Sequence, residues 1–234
     1  MIKSIVYNED NRFGLDLIPS KAIDLIVDDP PYFSGPQKRQ FYGSEIGFRG
    51  VKRGKYPIIK NWSVPQADYF KELERVSKNQ IIWGCNYFDY PFGPGRIIWD
   101  KVNGNSSFSD CEIAFCSIHD SVRLFRYMWN GMMQGKSLEE GWTMQGNKKL
   151  NEKRIHQCQK PVILYDWIFS KYTTKGMTVA DFHTGSGSSR IAAYKAGLDY
   201  YGWEADPVCW QDQEDRFNAF LESCHEEKQI QHAY

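Results

Sequence analysis

Short apolar runs alternate with helix-period segments along most of this chain, and that alternation limits the folds open to it. The runs are SIVY (4–7), AIDLIVDD (22–29), QIIWGC (80–85), RIIWD (96–100), CEIAFCS (111–117), MTVADF (177–182) and DYYGWEA (199–205). Each has the length of a buried strand, bounded by turn residues. Helix-like patterns lie between several of them: PQADYFKELERVSK (65–78), KPVILYDWIFSKYT (160–173), SSRIAAYKAG (188–197) and WQDQEDRFNAFLESCHE (210–226). Leu164, Trp167, Ile168 and Tyr172 recur at helical spacing and predict a core face. Strands alternating with helices predict an α/β fold with an open, mostly parallel sheet. In such sheets ligands sit beyond the carboxyl ends of the strands. Residues 119–155 lack a clear period and read as a small irregular insertion rich in Gly, Met, Asn and basic residues.

At 234 residues the chain is long enough for a sizeable core, and 1–234 reads as one domain. Twenty-nine basic residues balance 29 acidic ones, which excludes a supercharged or disordered polymer. The first residues form no apolar signal region and no run approaches a membrane span, so a cytoplasmic protein without a membrane partner is expected. Six cysteines (Cys85, Cys111, Cys116, Cys158, Cys209 and Cys224) form no CxxC pair and have no histidines at metal spacing. They read as reduced thiols, with no metal.

The balanced charge hides a local excess. From Gln37 to Lys60 stand Lys38, Arg39, Arg49, Lys52, Arg53, Lys55 and Lys60 against Glu45 alone, a net charge of +6, with glycines and aromatics interleaved. Such a loop (33–62) suits a phosphate backbone, and equally a plain solvated loop. It leaves directly from LIVDDPPYFSGP (25–36), in which a buried strand runs into two carboxylates, two prolines and a tyrosine. Buried strands do not normally end so unless something is bound there. Further on, MTVADFHTGSGSSRIAA sets a strand, a Gly-rich turn and a helix start in the order of a nucleoside site. Gly185 and Gly187 permit close approach of backbone to a ligand, and Ser188 or Ser189 could cap the following helix. Glu204 ends the next strand, where an acid is suited to grip the two hydroxyls of a ribose.

These segments together resemble the DNA amino-methyltransferases, which methylate exocyclic base nitrogens with S-adenosylmethionine. The resemblance covers nearly the whole chain. DPPY (29–32) is similar to the family's catalytic motif, DFHTGSG (181–187) to its D-x-F-x-G-S-G cofactor loop, and HQCQKP (156–161) to its H-P-T-Q-K-P segment. The motif order resembles the family's β group. His183 stands where Phe is usual, and Cys158 replaces a Thr. The resemblance implies a single-domain Rossmann-like sheet, mostly parallel with one antiparallel strand, and helices on both faces. It implies DNA as partner and allows a homodimer, in a bacterial or phage-encoded enzyme. Asp29, Pro30, Pro31 and Tyr32 are the implied catalytic residues. Asp10, Lys160, Asp181, Phe182, His183, Thr184, Gly185, Ser186, Gly187 and Glu204 are the implied cofactor residues. Lys38, Arg39, Arg49, Lys52, Arg53 and Lys55 form the expected DNA contact.

The chemistry needs those residue types. An exocyclic amino nitrogen is a poor nucleophile because its lone pair is delocalised into the ring. Acceptors for its two hydrogens, the Asp29 carboxylate and the Pro30 carbonyl, favour a pyramidal nitrogen aimed at the sulfonium methyl. Tyr32 offers a stacking face to an extruded base, and transfer is direct displacement governed by positioning. In the β group DPPY accompanies adenine N6 more often, with cytosine N4 the alternative. Related enzymes acting on RNA bases or glutamine carry the cofactor loop first, and a non-catalytic DNA-binding relative would have no need of intact Asp29, Gly185, Gly187 and Glu204. Asp28 reads as a structural acid outside the site, and Asp68 as a solvated first-turn acid. Trp83, Asn86 and Tyr87 divide between base contact and packing, Asp100 and Lys101 read as an ion pair, and His119 and His156 as non-catalytic. Residues 119–155 are expected to choose the DNA sequence, since base-edge contacts carry specificity. Neutralising Arg49, Lys52, Arg53 and Lys55 together is expected to weaken DNA binding and to flatten its salt dependence by roughly one unit of slope per lost phosphate contact. Titrations at several salt concentrations check this; an unaltered slope moves the grip to Arg123, Arg126, Lys148 and Lys149.

Overall fold

The computed structural model describes residues 2–32, 63–104, 109–130, 133–156 and 158–232. In chain order the elements are β1 (Ser4–Tyr7), α1 (Asn11–Leu17), β2 (Ile23–Asp28), α2 (Ala67–Val76), β3 (Ser77–Trp83), β4 (Arg96–Asp100), β5 (Cys111–Cys116), β6 (Val122–Arg126), β7 (Trp129–Asn130), β8 (Met133–Gln134), α3 (Val162–Tyr172), β9 (Thr178–Asp181), α4 (Ser188–Ala196), β10 (Asp199–Trp203) and α5 (Pro207–His232).

Among the described residues, eight strands form one sheet in the order β1-β10-β9-β2-β3-β5-β4-β6. Seven run in one direction and β5 alone is reversed, pairing antiparallel with both β3 and β4. Burial on both faces explains why the strands read as continuous apolar runs rather than as alternating ones. On one face Leu25, Val27, Ile81 and Trp83 pack with Leu164, Ile168 and Phe169 of α3 and Ala192 and Ala193 of α4. On the other, Ile26, Ile82 and Ala180 pack with Leu15 of α1 and Tyr69, Phe70, Leu73 and Val76 of α2. Helices therefore cover both faces, and among the described residues none is long and apolar enough to cross a membrane.

Three elements depart from the sequence reading. No apolar period marks helix α1: it is only seven residues long, and it buries Leu15 while Phe13 and Leu17 stay exposed. Residues 119–155 are not irregular throughout: Val122–Arg126 form the sheet's edge strand, parallel to β4. Only Phe125 of that strand is buried, so no apolar period marks it. Neither Ser188 nor Ser189 caps α4, which begins after Gly187 without a side-chain cap. Instead, Ser189 donates to the Asp181 carboxylate at 2.5 Å.

Strands β2 and β9 are adjacent and parallel, with Ile26 opposite Ala180. Their carboxyl ends therefore lie side by side, and the segments 29–32 and 182–187 leave the sheet at the same edge. Strand β10 continues the arrangement, with Gly202 opposite Asp181, which brings Glu204 to that edge too.

Candidate active site

Asp28 and Asp29, neighbours in the chain, reach partners on opposite faces of the sheet. Asp28 is fully buried. The hydroxyl of Tyr69, from α2, donates to its Oδ2 at 2.6 Å, and His183 Nδ1 lies 2.9 Å from its Oδ1. Asn11 of α1 presents its amide nitrogen to both the Phe182 carbonyl and His183 Nε2, each at 3.0 Å. With Asn11 donating, Nε2 accepts and Nδ1 carries the proton shared with Asp28. Burial opposes protonation of His183, but the Asp28 carboxylate outweighs it and the imidazole pKa is raised. Burial, reinforced by Asp28, pushes the Asp181 carboxyl up to about 7.

Asp29 turns the other way. The Lys160 ammonium bridges its Oδ2 and, at 3.1 Å, Oε2 of Glu112. Glu112 Oε1 in turn meets the Lys101 ammonium at 2.5 Å. The second oxygen of Asp29, Oδ1, is buried and has no hydrogen-bond partner among the described residues. Burial raises the Asp29 pKa against the pull of Lys160. Burial opposes ionisation of Glu112 as well, but two ammonium groups overcome it and bring that carboxyl down to about 2. Tyr32 stacks on Tyr87, with ring centroids 4.5 Å apart and planes 1° from parallel. A Cβ at Gly84 would come within 2.7 Å of the Tyr32 ring, so only glycine lets the tyrosine settle there.

Along 182–186 burial alternates from residue to residue. Phe182 is buried and stacked on Trp203 at 4.6 Å, and Thr184 and Ser186 are buried as well. His183 and Gly185 remain partly exposed. Gly185 has φ +52°, and a Cβ there would meet nothing closer than the His183 carbonyl at 3.8 Å, so open space lies before the loop. The Glu204 carboxylate closes that space, accepting from the Gly185 N–H and from the Asp206 N–H, each at 2.9 Å. Asp10 caps α1 and pairs with Arg12 at 3.0 Å, which holds its carboxyl below the usual range. Asn8, in the same turn, donates to the Glu204 carbonyl at 2.9 Å.

The structure thus gathers Asp29, Pro30, Pro31 and Tyr32 beside Asp181 to Gly187 and Glu204. Lys160, which the resemblance groups with the cofactor residues, has its ammonium engaged by Asp29 and Glu112. Lys38, Arg39, Arg49, Lys52, Arg53 and Lys55 lie outside the described residues. Trp83 belongs to the core, edge-on to Trp99. Asp100 and Lys101 do not pair with each other: Asp100 holds Arg126 and Lys101 holds Glu112. Asp68 is exposed in the first turn of α2. His119 meets the Tyr172 hydroxyl at 3.1 Å, and burial brings His156 down to about 4, leaving it neutral. No cluster of potential metal ligands occurs among the described residues.

Sequence reasoning missed Glu112, Tyr69, Asn11 and the pair Glu152–Arg216. An acid inside the apolar run CEIAFC was the available signal for Glu112. Arg216 of α5 donates to the Ser186 carbonyl at 2.7 Å and to Glu152 at 2.7 Å, and no local pattern marks it.

A mostly parallel sheet thus brings a Gly-turn, the Glu204 carboxylate and a DPPY strand end together at its switch point, the place where such sheets bind ligands. The family model described as DNA methylase, covering N6 and N4 methyltransferases, matches residues 23–211. The chain belongs to that family. It is 25% identical over 225 residues to the type II methyltransferase M.HinfI of Haemophilus influenzae, spanning 82% of this chain but only 62% of that one. It is 23% identical to the type II methyltransferase M2.DpnII of Streptococcus pneumoniae, over 87% of this chain and 85% of the other. Among solved structures, the cytosine-N4-specific PvuII DNA methyltransferase superposes with a TM-score of 0.56 at 14% identity, over 93% of this chain and 87% of the other. The M1.HpyAVI–SAM complex superposes at 0.52 and 16% identity, over 92% and 100%.

His183→Phe restores the residue usual in the family and leaves Asp28 Oδ1 without its donor. It is expected to destabilise the fold by about 1–3 kcal/mol, the desolvation penalty of an orphaned buried acceptor. A raised histidine pKa stabilises the fold fully below the ordinary value of 6.5, and that contribution is lost as pH rises through the folded value. The gap between wild type and variant is therefore larger at pH 5 than at pH 9, as denaturant unfolding at the two pH values would show.

Proposed function

We propose that this DNA methylase transfers a methyl group from S-adenosylmethionine to the exocyclic N6 of adenine in a duplex, after extruding the base. The observation that carries the reading is the buried Oδ1 of Asp29, which has no partner among the described residues, in the segment that also carries the stacked Tyr32. A buried acceptor without a donor is expensive and persists where a ligand supplies the donor.

The residues at the neighbouring strand ends fit the cofactor. Glu204 is placed to accept from ribose hydroxyls on the lone pairs its backbone donors leave free. Space before Gly185 admits the nucleoside against backbone, and the partly exposed His183 borders the same space. The bound cofactor supplies an electrophilic methyl group on a sulfonium. Asp29 Oδ1 accepts one amino hydrogen and the Pro30 carbonyl the other, which draws the nitrogen lone pair out of the ring. Tyr32 and Tyr87 supply aromatic faces for the extruded base. Holding the amino group in line with the methyl is the main contribution of these residues to the rate.

Similarity to type II methyltransferases supports a role in modification of specific DNA sites, with residues 119–155 choosing the sequence and 33–62 gripping the backbone. The whole chain 1–234 then acts as one methyltransferase domain. DPPY favours adenine; likeness to a structure named cytosine-N4-specific favours the second reading, transfer to cytosine N4.

Asp29→Ala is expected to abolish methyl transfer while retaining cofactor affinity, because Asp29 acts on the base. Glu204→Ala is expected to weaken cofactor binding first. Calorimetric titration with S-adenosylmethionine beside a methylation assay separates the two, and loss of cofactor binding by a folded Asp29→Ala variant would refute the assignment. Nucleoside digests of DNA from an overexpressing strain are expected to contain N6-methyladenine; N4-methylcytosine in its place would establish the second reading.

A further inference from the structure

Four charged side chains form a row beneath the catalytic motif: Lys101, Glu112, Lys160 and Asp29. They come from four separate places in the chain, the end of β4, strand β5, the segment before α3 and the end of β2. All four are largely withdrawn from solvent, with 16, 20, 5 and 18% of the side chain exposed. The row alternates in sign and sums to zero. Two indole rings line it: the Lys101 ammonium lies 5.5 Å from the Trp99 ring centroid and that of Lys160 5.5 Å from the Trp83 centroid. Among the described residues, the Asp29 end of the row carries a buried oxygen without a hydrogen-bond partner, and the other three members do not.

Lys160 therefore has two carboxylates to serve. Were Asp29 its sole partner, the whole ammonium charge would fall on Asp29, and that carboxylate would become a poor acceptor. Glu112 takes part of the charge, and Lys101 in turn limits how much Glu112 can take. We propose, building on the function assigned above, that Glu112 is a positioning residue which shares Lys160 with Asp29 and so sets the acceptor strength of the oxygen that meets the target amino group. Glu112 touches neither base nor cofactor. It acts through Lys160, which stays an ammonium throughout and takes no proton from the substrate.

The charges around Asp29 run in opposite directions. Lys160 favours its ionised form, whereas Glu112 and Asp28 oppose it. The phenols of Tyr32 and Tyr165 both lie near enough to feel the Asp29 charge, and burial keeps both protonated. Removing Glu112's charge leaves Lys160 to Asp29 alone and stabilises the carboxylate. Removing Lys160 leaves a buried carboxylate unpaired and drives it towards the neutral form. Removing Lys101 frees Glu112 to draw Lys160 away, a weaker change in the same direction as losing Lys160.

The test is the pH dependence of single-turnover methyl transfer, with Asp29 ionisation followed independently by carboxyl-carbon NMR in the cofactor-free protein. Glu112→Gln is expected to move the acid limb and the Asp29 titration to lower pH. Lys160→Met is expected to move both to higher pH, and Lys101→Met to move them the same way by less. A shift of about one unit is a tenfold change in rate on the acid limb. Glu112→Asp should restore the wild-type profile. Opposite shifts for Glu112→Gln and Lys160→Met support the proposal. Shifts in one direction, or a fall in rate at every pH with the Asp29 titration unmoved, overturn it, because Glu112 would then only maintain the fold. Should Glu112→Gln fail to fold, an upward shift for Lys101→Met smaller than that for Lys160→Met supports the proposal, and an Asp29 titration unmoved by Lys101→Met overturns it. Absence of transfer by the wild type with the Asp29 shifts present would refute the assigned function and leave the charge row standing.

Discussion

The parallel pairing of β2 with β9 is the constraint on which everything functional depends. Two strands more than 150 residues apart in sequence end side by side, one in DPPY and the other in the Gly-turn. Strand order turns outward in both directions from this pair, so the connections diverge and leave a crevice. A one-residue slip of β2 would exchange its faces. It would turn Asp28 and Asp29 each towards the other's partners.

Two adjacent carboxylates at a buried strand end would repel and resist ionisation unless each were matched. The fold matches them on opposite faces. Asp28 receives a phenol from α2 and an imidazole from the Gly-turn segment, while Asp29 receives an ammonium from the segment before α3. Asp28 is fully satisfied and serves to tie the strand end to the loop beside it. Asp29 is left half satisfied, which is what a binding group requires. His183, the departure from the family's phenylalanine, thus has a partner that explains it: a buried acid at position 28.

A second tie joins regions that recognise DNA and cofactor in the reading given above. Glu152 accepts from the Val162 N–H at the start of α3 and from Gln159, each at 2.8 Å, and from Arg216 of α5. Arg216 also holds the Ser186 carbonyl of the Gly-turn. One carboxylate therefore connects the end of the 119–155 stretch, the segment carrying Lys160 and the helix behind the turn. Displacement of any of these disturbs the others through charged hydrogen bonds that are shielded from water.

Local sequence determined the α/β alternation, the order of the motifs and the placing of Glu204 one strand beyond the Gly-turn, because strand and helix periods and turn residues act over a few positions. The single reversed strand followed from the resemblance and is β5. Helix α1 and strand β6 escaped because one is short and the other buries a single side chain. What tertiary structure alone decided is which charge meets which. Lys160 lies 131 residues from Asp29 and 48 from Glu112, and nothing in QKP or CEIAFC specifies that they converge. Buried ions must find partners wherever the sheet brings them together, and that pairing depends on strand order and register rather than on neighbours in the chain.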